Sequence, residues 1–345
     1  SARGLTSLFP MSDIAVMGFV PVVRNLRRLL ARISLAADVV IAQPPDALVI
    51  IDSPDFTHRV ARRLRAKRPD VPVVNYVSPT VWAWRPGRAK KMKPYVDHLL
   101  ALLPFEPQVH QRLGGPACTY VGHPLIEKLH VLRASPSQDN APAGNTDAMQ
   151  LLVLPGSRRS EIQRLMPVFR DAVAILQNSI PGLLCTLPAV PHLVDEITQL
   201  TASWKTQPDI VLGDDAKYAA MRSSRAALAA SGTVALELAL ARLPFVLAYK
   251  VSVIEAAIAR RLIKTRFAGL PSNILGRELN PEFIQENTKP DAIAEALAPL
   301  LHDSVERRAQ LDGFSEVEKQ MVLPPGQTPS MMAAEVVLKY VNRLQ

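Results

Sequence analysis

Residues Leu151–Ile162, LLVLPGSRRSEI, decide how the rest of the chain is read. Leu151 to Leu154 have the composition of a short buried strand. Pro155 and Gly156 break the run. Ser157 is placed to cap a helix, and Glu161 and Ile162 open a helical pattern carried on by Leu165, Val168 and Phe169. A strand that turns at glycine into a helix leaves backbone N–H groups at the helix start. With the helix dipole, these favour an anion. Arg158 and Arg159 add two guanidinium groups of the kind that grip phosphate in a fork. The stretch predicts a phosphate-binding turn. An ordinary strand–helix turn with surface arginines fits the same residues.

The bulk properties narrow the choice. A length of 345 residues suggests two domains, and 48% hydrophobic content is enough for substantial cores. Two cysteines, Cys118 and Cys185, imply no disulfide framework and a reducing compartment. No signal-peptide pattern opens the sequence, and no apolar run is long enough to span a bilayer. The net charge of +9 points to an anionic partner: nucleic acid, an anionic membrane surface or a phosphorylated substrate.

Taken in order, the chain alternates strands and helices. Around residues 17–33, Val22, Leu26, Leu29, Leu30 and Ile33 recur at helical spacing, with Arg24, Arg28 and Arg32 on another face. Phe19, Val20 and Val23 add apolar surface beyond one packing stripe. A membrane-surface helix and a helix packed on its own domain both fit. Ala47–Ile51 reads as a buried strand ending in DSPDF. Asp52 is there a candidate general base and Asp55 a helix cap, although capping by both also fits. Residues 57–68 are a basic helix. Val71–Val77 is a second strand, followed by a loop with Trp82 and Trp84 among cations, suited to stacking on a base or lining a sugar or acyl pocket. His98–Leu103 and a short run ending at Tyr120 are further strands, and His123 lies just beyond.

Residues 134–149 have linker composition and mark the domain boundary. Beyond it the βα alternation restarts. Strands are expected at Leu183–Leu187, Asp209–Leu212, Ala226–Ala230 and, last, Phe245–Lys250. Ser231, Gly232 and Thr233 turn the third of these into a helix, a second anion-binding turn, and Glu237 lies one turn further on the same face, where it can accept from ribose hydroxyls. Helices are expected at 253–264, 290–301 and 331–344, and Leu270–Asn273 reads as a turn. No metal-ligand cluster, P-loop, nucleophile elbow or GxGxxG sequence is present. Two anion turns within βα units argue for a small nucleotide and against nucleic acid.

IDSPDF (Ile51–Phe56), YVSPTVWAWR (Tyr76–Arg85), LPFE (Leu103–Glu106), VGHP (Val121–Pro124), LPGSR–SEI (Leu154–Ile162), ASGTVALE (Ala230–Glu237) and LPSNILGREL (Leu270–Leu279) occur in this order. Together the motifs resemble the lipid-A-disaccharide synthases, inverting glycosyltransferases of Gram-negative bacteria. The likeness covers nearly the whole chain, and YVSPTVWAWR is far more specific than a single glycine turn. It implies an α/β, GT-B-like architecture of two Rossmann-like domains facing a cleft. The first domain would span residues 1–133, a linker 134–149, the UDP-sugar domain 150–325, and a C-terminal helix within 326–345 would return to the first domain. Family members open with a strand and an AGE-x-SGD-type loop that this sequence lacks, so the resemblance implies an N-terminally truncated first domain.

The resemblance also implies the chemistry. The donor is UDP-2,3-diacylglucosamine and the acceptor 2,3-diacylglucosamine 1-phosphate. The reaction gives a β-1,6-linked disaccharide 1-phosphate and UDP at the cytoplasmic face of the inner membrane, with no cofactor and no required metal. It favours Asp52 as general base. Gly156, Ser157, Arg158, Ser231, Gly232, Thr233 and Glu237 would hold UDP, with Tyr249 and Asn273 as further donor-side candidates and Arg159 a surface charge. His123 and Trp82 are acceptor-side candidates. Val20, Val22, Val23, Leu26, Leu29 and Leu30 would touch an anionic membrane, and exposed apolar surface admits a homo-oligomer. Two alternatives remain open: a UDP-sugar epimerase of the same fold, and an inactive lipid- or nucleotide-binding fragment.

Overall fold

A computed structural model describes residues 7–14, 25–43, 45–133, 149–230 and 232–342. The elements in chain order are α1 (Leu26–Ala42), β1 (Leu48–Ile51), α2 (Pro54–Lys67), β2 (Val73–Tyr76), α3 (Gly87–Met92), β3 (His98–Ala101), α4 (Glu106–Arg112), β4 (Ala117–Tyr120) and α5 (Leu129–Leu132). Then come β5 (Gln150–Leu154), α6 (Arg159–Ser179), β6 (Leu184–Ala189), α7 (Val194–Thr201), β7 (Asp209–Leu212), α8 (Asp214–Ser223), β8 (Ala226–Ala230), α9 (Val234–Leu240) and β9 (Phe245–Tyr249). The last are α10 (Val253–Leu262), α11 (Leu270–Leu275), β10 (Glu282–Ile284), α12 (Pro290–Leu297), α13 (Val305–Met321) and α14 (Pro329–Val341). The chain divides into two compact units, residues 1–123 with 323–345, and residues 124–322.

The first unit is built on a parallel sheet in the order β1-β2-β3-β4. Strands wound in sequence order carry their crossover helices on one face. There Leu64, Met92 and Val109 from α2, α3 and α4 pack with Ile50, Val73 and Leu99 of the strands. The other face packs Val74, Leu100 and Val121 against Val336 of α14, and the Tyr340 hydroxyl lies 3.0 Å from His98 Nδ1. Buried on both faces, β2 and β3 show no in-and-out alternation of burial, as central parallel strands do not.

The predicted membrane helix differs from its expectation in extent and in charge. Val20, Val22 and Val23 lie outside the described residues. The helix runs on to Ala42, burying Ile33 and Ala37. Arg28 and Arg32 do not form a free basic face, although Arg28 stays exposed. Both bind Asp13, which is 2% exposed, with Arg32 Nη2 at 2.8 Å from its carboxylate. Leu26 and Leu30 remain exposed and Leu29 half-buried. Among the described residues no helix is long and apolar enough to cross a membrane.

The second unit is a six-stranded parallel sheet in the order β10-β9-β8-β5-β6-β7. This is doubly wound. The chain leaves β5 outward through β6 and β7, then returns to the other side of β5 with β8, β9 and β10. Its core joins Leu151 and Val153 of β5, Leu228 of β8 and Val246 of β9 to Phe169 and Leu176 of α6 and Leu297 of α12. The unit begins at Pro124, earlier than the sequence boundary at residue 133 suggested. Leu132 is fully buried, and the Arg133 guanidinium bonds Glu318 of α13 at 3.0 and 2.6 Å and the Leu240 carbonyl at 2.8 Å. Several elements go beyond the sequence reading: the short helices α3, α4, α5, α7 and α8 are additional, as are α13 and β10, and Leu270–Leu275 is a helix ended by left-handed Gly276, not a turn.

Candidate active site

The doubly wound order sets β5 beside β8, where the connections reverse direction. Ligands of such sheets bind beyond the carboxyl ends of the strands at this switch point. Both predicted anion turns leave those two strands. After Leu154 the chain turns at Gly156, with φ at +107°. A Cβ at this position would stand 2.6 Å from Glu161 Oε2, so glycine is required by backbone and by contact. Helix α6 starts at Arg159 with Arg158, in extended conformation, as its N-cap residue. Ser157 therefore does not cap the helix; it is exposed, and the Arg158 carbonyl already accepts from Glu161 N at 3.0 Å. No side chain caps the first turn of α6.

Arg158 is aimed by a residue that the sequence reading passed over. Its Nη1 donates to Glu161 Oε1 at 2.7 Å, and Glu161 is 8% exposed beneath the Gly156 turn. One of five guanidinium N–H donors is used; the side chain is otherwise half in solvent. The signal was present as Glu161 three residues after Arg158, a helical i,i+3 pair. Tyr249, at the end of β9, belongs to the same neighbourhood. Burial and then the Glu161 carboxylate hold its phenol above the ordinary value, with Arg158 opposing. Arg159 instead bonds Glu196 at 2.8 Å on the surface.

At the second turn, Ser231 lies outside the described residues. Gly232 and Thr233 are exposed, and Thr233 is the N-cap of α9 without a side-chain bond. Glu237 accepts from Lys217 of α8 at 3.0 Å. Lys217 was also missed, because its partner lies 20 positions away in sequence. Asn273 does not fit its predicted donor-side role. Its Nδ2 donates to the carbonyls of Phe267 at 3.0 Å and Gly269 at 2.7 Å, and its Oδ1 accepts from Thr265, so the amide clasps the 265–269 loop.

In the first unit Asp52 ends β1 and is exposed. Asp52 and Ser53 both have left-handed backbone, at φ +49° and +43°. Two consecutive non-glycine residues there are strained by about 1–3 kcal/mol each. Asp52 N donates to the Tyr76 carbonyl at 3.2 Å, and the Thr57 hydroxyl bridges the carbonyls of Asp52 at 2.7 Å and Ser53 at 3.1 Å. Asp55 is not the cap of α2: that position is Ser53, and Asp55 pairs with Arg88 at 3.1 Å.

The tryptophan loop is held from below. Trp82 Nε1 donates to Glu106 Oε1 at 3.2 Å, and its ring packs edge-on against Phe105. Trp82, partly exposed, is thus fixed in place within this loop. Leu103 N donates to the other Glu106 oxygen at 3.1 Å; burial raises this carboxyl to about 7. Ser78 Oγ and His110 Nε2 lie 2.7 Å apart in the core. Burial lowers His110 to about 4, and His123, half-buried after β4, likewise, so both are neutral at pH 7. Among the described residues no His, Cys, Asp and Glu cluster could hold a metal ion.

Comparison with known proteins bears on both units. The family model described as lipid-A-disaccharide synthetase matches residues 1–336. The lipid-A-disaccharide synthase of Nitrobacter winogradskyi is 52% identical over 338 residues, covering 98% of this chain and 84% of that protein. Solved structures share the fold. An S. aureus protein in a co-structure with UDP aligns with a TM-score of 0.60 at 14% identity, over 98% of this chain and 84% of the other. A spinosyn rhamnosyltransferase complexed with thymidine diphosphate gives 0.55 at 13%, over 91% and 78%. With two parallel-sheet, Rossmann-like units of the GT-B class and a family match along nearly its whole length, the chain belongs to the lipid-A-disaccharide synthase family of glycosyltransferases.

Proposed function

We infer that the chain transfers 2,3-diacylglucosamine from its UDP donor to the 6-hydroxyl of 2,3-diacylglucosamine 1-phosphate, releasing UDP and the β-1,6-linked disaccharide 1-phosphate. The observation that carries this reading is the Gly156–Arg158–Glu161 turn at the switch point of a doubly wound sheet, in a chain of this family. UDP is held with its diphosphate on the first-turn amides of α6 and α9 and on Arg158, its ribose on Glu237, and Tyr249 beside the donor. Asp52, exposed after β1, accepts the proton of the acceptor hydroxyl. The hydroxyl oxygen attacks the anomeric carbon opposite the leaving UDP, with inversion. Negative charge developing on the β-phosphate is met by Arg158 and the helix-start amides, donors fixed before the reaction begins.

Both substrates carry acyl chains, so the chain works at a membrane surface, and the exposed Leu26 and Leu30 of α1 support such contact. With Arg28 and Arg32 committed to Asp13, the contact is more apolar than a basic amphipathic helix would give. Sedimentation with anionic vesicles tests it, and unchanged binding by Leu26→Ser/Leu30→Ser refutes it.

The test of the reaction is UDP release. Release that requires both substrates is expected. Release from UDP-sugar alone indicates a hydrolase, and no release indicates either an epimerase, which returns a UDP-sugar, or a binding protein. Asp52→Asn should lower kcat by about 10²–10⁴-fold with UDP affinity retained, the contribution of a general base. Full activity in that variant rules out Asp52.

A further inference from the structure

A cavity of about 520 Å³ lies in the first unit, lined by the N-terminal half of α2 and by Arg85–Tyr95. His58 and Tyr95 line it as buried polar groups, each 5% exposed, with imidazole Nδ1 and phenol oxygen 3.1 Å apart. Arg59 and Arg62 line it from α2; Arg85, Arg88 and Lys91 line it from the following loop and α3. Against these five cations stands one carboxylate, Asp55, bound to Arg88 at 3.1 Å. The excess reaches the interior: burial, then Arg88, then Arg62 lower His58 to about 4, with Asp55 opposing.

Like charges gathered around a half-enclosed space repel one another and are stabilised by an anion between them. Guanidinium groups select an oxyanion that can take several N–H donors, which is phosphate chemistry. The α2 N-terminus adds the positive end of a helix dipole. Among the described lining residues Pro54 alone has an aliphatic side chain, so the cavity suits a polar, phosphorylated headgroup and not an acyl chain. It also begins where Asp52 ends: Pro54 comes directly after the left-handed pair Asp52–Ser53.

The geometry points to this cavity as the site that holds the phosphate monoester of the acceptor sugar, on the same unit as Asp52. The assignment rests on the acceptor named under Proposed function. The phosphate fixes one end of the acceptor, and the strained Asp52–Ser53 turn presents the base to the other.

Calorimetric titration of the full chain with glucosamine 1-phosphate tests the site without turnover. The exposed-wall variant Arg59→Ala/Lys91→Ala removes two cations without touching a buried group. Arg88→Ala removes a third, and Arg88→Lys restores charge without the fork. Each alanine variant should weaken glucosamine 1-phosphate about tenfold or more, as the loss of a charge-assisted contact does, with partial recovery in Arg88→Lys and UDP affinity unmoved. In turnover, KM for the phosphorylated acceptor should rise in the same proportion while KM for the donor stays. Unchanged glucosamine 1-phosphate binding in both alanine variants overturns the proposal. So does equally tight binding of inorganic phosphate by the parent chain, which indicates a free-anion site, or loss confined to phosphatidic acid vesicles, which indicates a lipid headgroup. Weakened glucosamine 1-phosphate binding in a chain that releases no UDP sinks the reaction reading alone. Acceptor-dependent UDP release with an unmoved acceptor KM in the variants sinks this site alone.

Discussion

Gly156→Ala tests the donor turn through two separable effects. The backbone at 156 sits at φ +107°, where a side chain costs about 1–3 kcal/mol. The added methyl would also stand 2.6 Å from Glu161 Oε2. Glu161 is 8% exposed and tied to Arg158, so it moves only by giving up that bond or by shifting the first turn of α6. A charged-group hydrogen bond of this kind is worth about 1.5–3 kcal/mol when buried, and the half-exposed guanidinium reduces that to about 1. Together the second unit should lose about 2–4 kcal/mol. With an m-value of about 2 kcal/mol/M, its urea midpoint falls by about 1–2 M. Release of Arg158 should also weaken UDP by about tenfold, a part of the full guanidinium–phosphate contact. Gly182→Ala is the control: it shares a left-handed φ, +82°, but meets nothing within 4 Å. It should lose only the backbone part and bind UDP as the parent does. A Gly156→Ala chain with parental UDP affinity would refute the idea that Glu161 aims Arg158 at the diphosphate.

The same geometry makes three further outcomes testable. Arg158→Ala should weaken UDP by about ten- to a hundredfold in a titration and lower the urea midpoint by only about 0.5 M, the loss of its half-exposed ion pair; equal affinity would move the diphosphate elsewhere. Asn273→Ala should loosen the 265–269 loop, read as faster amide hydrogen exchange there, by removing its bonds to Phe267 and Gly269, and a direct fall in UDP affinity at unchanged exchange would restore it as a ligand contact. The first unit should be acid-labile. His58 and His110 lie at about 4 in the folded chain against 6.5 unfolded, so their stabilisation is present above pH 6.5 and is lost as pH falls through 4. Glu106, raised from 4.5 to about 7, has the opposite sign: its contribution is present below pH 4.5 and lost as pH rises through 7. Each is worth about 3 kcal/mol, so two histidines outweigh one glutamate, and His123 adds to their side. Urea midpoints at pH 7.5 and 4 should show the loss, and Glu106→Gln, lacking the offset, should show a larger one; an equal or smaller loss would contradict the assignment.

The strands were legible because parallel strands covered on both faces are uninterrupted apolar runs, and Leu151–Leu154, Ala226–Ala230 and Phe245–Tyr249 needed no partner to be recognised. β10 was not legible: three residues at the sheet edge, each partly or fully exposed, carry no such run. α13 was hidden by its composition. VERRAQLDGFSEVEKQM carries seven Asp, Glu, Lys and Arg residues, and only Gln310, Gly313, Phe314, Val317 and Met321 are buried. The Gly156 turn is legible from its glycine, yet the cap lies one residue beyond Ser157, because Ser157 and an uncapped Arg158 read alike until the first backbone bond is seen. The cation cavity is not legible as one feature: residues 57–68 read as a basic helix and the cations after Trp84 as part of the tryptophan loop. Its two sides, residues 54–62 and 85–95, are separated by β2, and nothing local reports that they close on one another.

The motif residues divide by burial into two kinds of work. Asp52, Arg158, Gly232 and Thr233 are exposed at strand or helix ends, where a ligand can reach them. Glu106, His110, Ser78 and Glu161 are buried, and each bonds a residue of a motif loop or the residue that holds one, as in Trp82–Glu106, Ser78–His110 and Arg158–Glu161. A buried polar group left without its partner costs about 1–3 kcal/mol, so each such pair resists rotation of the loop above it. Sequence patterns cannot separate the two kinds, since a loop-held Trp82 and an exposed Asp52 are recognised with equal ease. Their replacements should separate them. Loss of a buried clasp lowers unfolding stability and substrate affinity together, whereas loss of an exposed contact lowers affinity or kcat at nearly constant stability. The strained Asp52–Ser53 backbone ties the two kinds together, because an exposed carboxylate in a left-handed conformation keeps its place only while Thr57 and the Tyr76 carbonyl hold the turn.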